Sequence, residues 1–325
     1  MRGTFRNTFM DWFGLTAPIV QAPMGGISDV ALVAAVGKGG GIGSIAATWT
    51  QPDEGLAIAE QLTQAGHPFL FNFVLRFGID RLGEYRHAGL PAITQSWGFD
   101  GASIAAFQSV GTRVGVQVGS TAGARAAIAA GADFIIVQGV EAGGHVQSST
   151  PLAGLLAQVV ALAGTVPVIA AGGIATAADI AGAMRVGAQG VMMGTRFVAS
   201  AESLAHAAYK QAIVEAQAAD TAYTNCFDID WPYAMHRVIR NSTFERWEAA
   251  GSPAAPNRPG EGDVVMRIGG HDLVRYCDTP PTTNSEGDLL AACLYAGTSV
   301  DGITTVLPAS QIVSSLWDEA QLLLS

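Results

Sequence analysis

Short runs rich in β-branched and aromatic residues recur along this chain roughly every 20 to 30 residues, each followed by an alanine-rich stretch of helical character. Parallel strands cannot be joined by a tight turn and need a crossover, usually a helix, so the alternation signals βα units. The runs are Ile19–Ala22, Gly41–Ile45, Phe69–Phe73, Ala92–Gln95, Arg113–Val118, Phe134–Gln138, Val166–Ala170 and Gly190–Met193. Eight of them point to a closed TIM-like (β/α)8 barrel rather than an open sheet. Strands buried on both faces need apolar residues throughout, and the chain is 49% hydrophobic with only 14% charged residues. Hydroxyls at Ser28, Thr121 and Thr176 are placed to open helices, and Gly131 and Gly187 to stop them.

After about Ser200 the rhythm ends. Glu202–Gln217 reads as a helix and Leu307–Leu324 as a closing amphipathic helix, while Asp220–Pro281 holds most of the Trp, Tyr and Pro residues. The expected organisation is a barrel over 1–217, an inserted lid or appendage of mainly helical character over 218–300, and a C-terminal helix over 301–325 packing back on the barrel. Trp231, Tyr233 and Trp247 are read as packing on the barrel in preference to shaping a pocket.

Several function classes are excluded. A net charge of −10 without a Lys/Arg cluster argues against nucleic acid, which is bound through a basic stripe. The stretch 142–178 carries no charge, but Gly154, Gly164, Pro167 and Gly172-Gly173 divide it, so no membrane span is expected. Arg2, Arg6 and Asp11 interrupt any signal-peptide core. Cys226, Cys277 and Cys293 form no CxxC pair, which fits a reduced, cytoplasmic protein.

In such a barrel the active site gathers at the C-terminal ends of the strands. There the sequence places Ala22-Pro23-Met24-Gly25-Gly26 after strand one, Asn72 at the end of strand three and Ser96-Trp97-Gly98 after strand four. Strand five carries Gln117, and strand six carries Gln138 followed by Gly139 to His145. Strand seven leads into Ala171-Gly172-Gly173-Ile174 and strand eight into Met193-Gly194-Thr195-Arg196. Much of the glycine excess, 40 residues of 325 against about 7% in average proteins, falls at these ends. Glycine pairs before a helix opening at Thr176, with Gly194-Thr195 one strand later, have the form of a barrel phosphate site in which backbone N–H groups approach an anion. Arg196 either joins that site or makes a structural ion pair.

His145 is the histidine placed at a strand end inside a flexible Gly143-Gly144 segment, and imidazole suits proton abstraction from a carbon acid. His67, His87, His206, His236 and His271 are read as structural. Glu141 lies four residues before His145 without an HExxH pattern or a Cys/His cluster, so no metal site is expected. The Gly41, Gly43, Ala46 spacing imitates a dinucleotide fingerprint but forms a strand itself, which is the wrong context. Schiff-base chemistry needs a lysine inside the barrel; the two lysines, Lys38 and Lys210, lie at a helix end and on a late helix.

Taken together, APMGGISDVALVAAVGKGGGIGSI, FNF at Phe71–Phe73, QGVEAGGH at Gln138–His145, AAGGI at Ala170–Ile174 and MGTRF at Met193–Phe197 resemble the nitronate monooxygenase family, formerly 2-nitropropane dioxygenases, related to flavin-dependent enoyl-ACP reductases. The resemblance runs from Pro18 to about Phe197 and continues weakly through Leu294–Gly297 into the closing helix. It implies an FMN flavoprotein with the cofactor at the barrel mouth, phosphate on Gly172, Gly173, Gly194 and Thr195, and the ring near Met24, Asn72, Gln138 and Gly143. Ala22, Pro23, Gly25, Gln117, Gly144, Ala171 and Met193 complete the expected cofactor-binding set, and His145 matches the catalytic histidine. Two departures stand out: Gln117 where some members place a lysine, and Val146-Gln147-Ser148-Ser149 where many have a further glycine. The implied activity is oxidation of alkyl nitronates (nitroalkanes) by O2 to a carbonyl compound and nitrite. The alternatives are an NAD(P)H-dependent reductase of enoyl thioesters or quinones on the same scaffold, and a flavin- or phosphate-binding module without turnover.

Overall fold

In the computed structural model, residues 5–78 and 80–325 are described; the first four residues, expected as part of the barrel unit, lie outside them. The barrel strands are β1 (Ile19–Gln21), β2 (Gly43–Ala46), β3 (Phe69–Val74), β4 (Ala92–Ser96), β5 (Arg113–Val118) and β6 (Phe134–Gln138), then, after a two-residue strand β7 (Gly144–His145) outside the barrel, β8 (Val168–Ala171) and β9 (Gly190–Met193). All pair in parallel in the order β1-β9-β8-β6-β5-β4-β3-β2, and a parallel bridge between Val20 and Ile42 brings β2 back to β1. The expected TIM-like barrel is therefore present, with shifted edges. The seventh barrel strand begins at Val168 rather than Val166 because Pro167 has no N–H to offer a ladder; its carbonyl accepts from Ile135 N at 2.9 Å.

Alternation along the strands sorts the side chains between two cores. Leu70, Ala92, Phe134, Ile136, Ile169 and Met192 point into the barrel, where Phe9 and Met10 of α1 (Thr8–Phe13) fill the lower end. Phe71, Ile93, Val114, Val116, Ile135 and Val137 point out, against the helical layer. Each fully buried Phe or Ile in these layers contributes about 1.5–3 kcal/mol. Gly115 is glycine for a packing reason: a Cβ there would stand 2.3 Å from the Phe134 ring. Two residues further along four of these strands, the inward positions become Asn72, Thr94, Gln117 and Gln138, so the barrel is apolar below and polar at its mouth.

Helices α2 (Val30–Lys38), α3 (Pro52–Gln64), α4 (Gly101–Gln108), α5 (Thr121–Ala129), α6 (Leu152–Ala163) and α7 (Ala177–Val186) cover the outside; two short 3₁₀ turns serve the β3–β4 crossover. A short α8 (Thr195–Val198) and α9 (Ala207–Glu215) follow β9. Thr176 caps α7 in a capping box with Asp179. The other two expected caps shift by one residue. Asp29, not Ser28, accepts from Leu32 N, and Ser120, not Thr121, accepts from Gly123 N. The Ser28 hydroxyl is used elsewhere, accepting from Gln21 Nε2 at 2.9 Å and Met24 N at 3.2 Å, which fixes the loop after β1.

The expectation of a mainly helical 218–300 segment is corrected. It contains one regular helix, α10 (Ser242–Ala249), and two antiparallel groups: β10 (Thr221–Thr224) with β11 (His236–Ile239), and β12 (Val264–Ile268) with β13 (His271–Val274) and β14 (Ser285–Gly287). Runs such as Thr221-Ala222-Tyr223-Thr224 and Arg237-Val238-Ile239 carry β-branched and aromatic residues that fit a pleated surface. β11 also pairs with β7, placing His236 opposite His145 and Arg237 opposite Gly144. The closing helix α11 (Ala309–Leu324) packs against α7 and α2. Among the described residues, no helix is long and apolar enough to cross a membrane.

Candidate active site

A cavity of about 520 Å³ opens at the C-terminal ends of the barrel strands, and every residue of the expected cofactor and catalytic set lines it. Gly172 and Gly173 adopt φ of 100° and 72°, a region L side chains rarely enter. A Cβ on Gly172 would also stand 3.0 Å from Ala142 N, and one on Gly173 3.0 Å from Glu141 Cβ. Backbone can lie against a ligand at this end because no side chain intervenes. Gly143 is glycine for another reason: its Cβ would meet Gly297 N at 2.4 Å. The turn at 143 therefore packs directly on the 296–297 backbone, whose Gly297 N donates to Thr195 Oγ1 at 3.0 Å.

His145 is held through its backbone. Gln138 Nε2 donates to the His145 carbonyl at 3.3 Å, and Gln138 Oε1 accepts from Gln147 N at 2.8 Å. The residue is half-buried, and its ring Nε2 is shut off from solvent with no hydrogen-bond partner. Burial first, and the neighbouring His236 second, lower the imidazole pKa to about 3, so the ring is neutral across the physiological range. A buried nitrogen without a partner costs stability, and His145 is one of the residues that line the cavity.

A family model for nitronate monooxygenase matches residues 6–81 and 92–319. The nitronate monooxygenase of Pseudomonas aeruginosa is 30% identical, over 96% of this chain and 99% of that protein. The chain belongs to the nitronate monooxygenase family. Among solved structures it is similar to nitroalkane oxidase from Streptomyces ansochromogenes, with TM-score 0.80, 29% identity and coverage of 98% of this chain and 100% of the other. It is also similar to FabK from Thermotoga maritima, with TM-score 0.79, 28% identity and coverage of 99% and 98%. The chain is thus an oxidoreductase of a flavoprotein family that oxidises nitronates.

The glycine cradle and the polar mouth fit a flavin phosphate and ring: backbone is exposed at 172–173 and 194–195, and Asn72, Gln117 and Gln138 offer neutral amides to a heterocycle. Asn72 is itself oriented by donating to Thr94 Oγ1 at 3.0 Å and Ser96 Oγ at 3.3 Å. Arg196 does not line the cavity, and it forms no ion pair among the described residues. It is buried and donates to the Ala199 and Thr305 carbonyls at 3.0 and 2.9 Å. Glu141 is likewise occupied, accepting from Leu152 N at the start of α6.

The sequence reading missed the residues that the 218–300 segment and its sequel deliver. Trp231 lines the cavity and stacks on His145 with ring centroids 4.2 Å apart, so its assignment to packing is corrected. Trp247 packs on Phe244 inside the 218–300 segment rather than on the barrel. His236 is buried 5.5 Å from His145 and accepts from Phe227 N while its Nδ1 meets the Ala234 carbonyl. Burial holds it neutral at a pKa of about 4, against the bond to the Ala234 carbonyl, which favours the charged ring. Its ring is occupied by backbone partners, and it forms part of the surroundings of His145. Tyr295 packs against both imidazoles. Asp230, Cys277 and Asp278 bring ligand-type atoms within 4.8 Å of one another at the cavity rim. Cys277 Sγ donates to Asp230 at 3.2 Å, and burial with Asp230 raises Asp278 to about 7. The only sequence signal for these residues was the local density of aromatic and acidic residues.

Proposed function

We propose that the chain is an FMN-dependent nitronate monooxygenase that uses O2 to convert alkyl nitronates to a carbonyl compound and nitrite, with His145 orienting the substrate. The observation that carries this reading is the bare, buried Nε2 of His145 on the wall of the cavity that the Gly172-Gly173 turn closes. Gly172, Gly173, Gly194 and Thr195 would hold the phosphate, and Met24, Asn72, Gln138 and Gly143 the ring. When bound, FMN supplies the electron-accepting, oxygen-reactive centre that no side chain provides. A neutral imidazole with a pKa near 3 is a weak base, since a general base works best near the operating pH. It is better suited to donate Nε2–H to an oxygen of a substrate that is already a nitronate. Trp231 and Tyr295, packed on the ring, exclude water from that contact. The three buried free cysteines support a reducing, cytoplasmic setting.

Anaerobic mixing of the yellow holoenzyme with ethyl nitronate tests the reading. Bleaching of the flavin bands by the nitronate, without bleaching by NADH or NADPH, is expected. A flavin that stays oxidised with nitronate refutes it, and bleaching by NAD(P)H alone establishes a reductase instead.

A further inference from the structure

One wall of the cavity is continuous aromatic surface from solvent to the catalytic histidine. Trp49 and Phe77 stand at its outer end, 53% and 43% exposed, with ring centroids 5.3 Å apart. Phe77 meets Trp231 at 4.8 Å, Trp231 meets Trp97 at 4.7 Å, and Trp231 meets His145 at 4.2 Å. These rings come from three loops after strands and from the 218–300 segment, and all four line the cavity. Trp97 sits at φ 56°, a left-handed conformation that is uncommon for a bulky residue and is kept where the surroundings over-determine it. Here Gln147 Oε1 accepts from Trp97 N at 3.1 Å. That side chain belongs to the Val146-Gln147-Ser148-Ser149 stretch that follows His145. The structure thus spends an unfavourable backbone conformation on placing an indole in the cavity wall.

The charge of the cavity is equally selective. Among the described residues that line it there is no Lys or Arg, while Asp230 and Asp278 do line it. A second anionic group on a substrate would find repulsion and no partner.

We propose that this aromatic wall is the subsite for the substituent on the reacting carbon, and that the preferred substrates are nitronates bearing an aryl or similarly flat apolar group, with carboxylate-bearing nitronates rejected. The inference rests on the nitronate-oxidising reading of the same site. Flat apolar groups gain from offset and edge contacts with Trp and Phe rings beyond their burial, and the wall leads such a group inward until the nitronate head reaches His145.

Three nitronates of similar length separate the possibilities: those of 2-phenyl-1-nitroethane, 3-methyl-1-nitrobutane and 3-nitropropionate. The aryl compound is expected to exceed the branched alkyl one in kcat/KM by roughly tenfold or more, and the carboxylate to fall below the alkyl one by a similar factor. Phe77→Ala and Trp49→Ala, at the exposed end where folding is least at risk, should shrink the aryl-to-alkyl ratio severalfold. To keep this separate from turnover, binding of the unreactive analogues 2-phenylethanol, 3-methylbutan-1-ol and 3-hydroxypropionate to the holoenzyme is measured by calorimetry. The same ranking is expected, whether or not any nitronate is oxidised. Equal affinities for the two neutral alcohols, or tightest binding of the carboxylate, overturns the proposal.

Discussion

The imidazole of His145 and the indole of Trp231 lie 4.2 Å apart with their planes inclined by 31°, so one face of the imidazole is covered by a residue 86 positions later in the chain while its Nε2 is left without a partner. That contact joins the barrel and the 218–300 segment at the cavity, and the proposed chemistry depends on the environment it creates.

His145→Ala should retain flavin and lower kcat/KM for nitronates by about 10²–10³-fold, the usual loss for one oriented donor. The pH dependence follows from the pKa of about 3. Wild-type kcat/KM should show no acid limb near 6.5, the ordinary histidine value. A limb near 7, if present, belongs to Asp278, which is raised to about 7, and should vanish in Asp278→Asn. Steady-state rates from pH 5 to 9 with preformed nitronate check both statements; an acid limb at 6.5 that survives Asp278→Asn contradicts them.

Stability should fall with acid in a defined way. His145 and His236, with folded pKa values near 3 and 4, stay neutral in the fold but bind protons when unfolded below about 6.5, so each destabilises the fold as pH drops through that value. Asp278 acts in the opposite sense: its folded pKa near 7 lets the native state hold a proton that the unfolded state releases. Between pH 5 and 6 the unfolded chain therefore binds up to about one proton more than the native one, a slope of at most about 1.4 kcal/mol per pH unit. Urea unfolding should show ΔG decreasing toward pH 5, and more steeply in Asp278→Asn. A flat profile in both proteins is the contrary result.

Gly143 and Gly144 are adjacent but should respond differently to alanine. At Gly143 a Cβ would meet Gly297 N at 2.4 Å, so the 296–297 backbone must move and turnover should fall at least tenfold. At Gly144, φ is 76° but nothing lies within 4 Å, leaving only a left-handed conformation cost of about 1–2 kcal/mol. Thermal melts paired with kcat/KM separate the two; equal losses of activity would show that backbone conformation, not the contact with 297, governs the turn.

Gln117→Lys would place a cation in a cavity whose described lining contains none. A nearby cation favours an anionic reduced flavin, so the midpoint potential should rise by about 30 mV or more, equivalent to about 1.4 kcal/mol for a two-electron couple. A spectroelectrochemical titration reads this directly; an unchanged potential means that residue 117 does not face the flavin.

The barrel and its mouth were legible because both obey local rules. Strand alternation sets which residues face inward, and the strand ends hold the glycines and amides that the cavity now collects. The misread caps show the limit of that logic: Ser28 and Asp29 are both good caps, and the choice was made by Gln21 and Met24, which recruit the serine. Trp231, His236 and Tyr295 were not legible as site residues, because they flank or pack on β11, which is positioned by pairing with a two-residue strand that no propensity marks. Gln147 was visible only as a departure from the family, and its purpose emerged from its bond to Trp97 N.

That two-residue ladder has one more implication. His145 is gripped from the barrel by Gln138 and from outside by His236 across β7 and β11. A barrel lacking the outer strand would still possess its glycine cradle, yet its histidine would keep only the tether from Gln138. The barrel by itself is a container for a cofactor, and it becomes a catalyst only when the chain that follows returns to complete it.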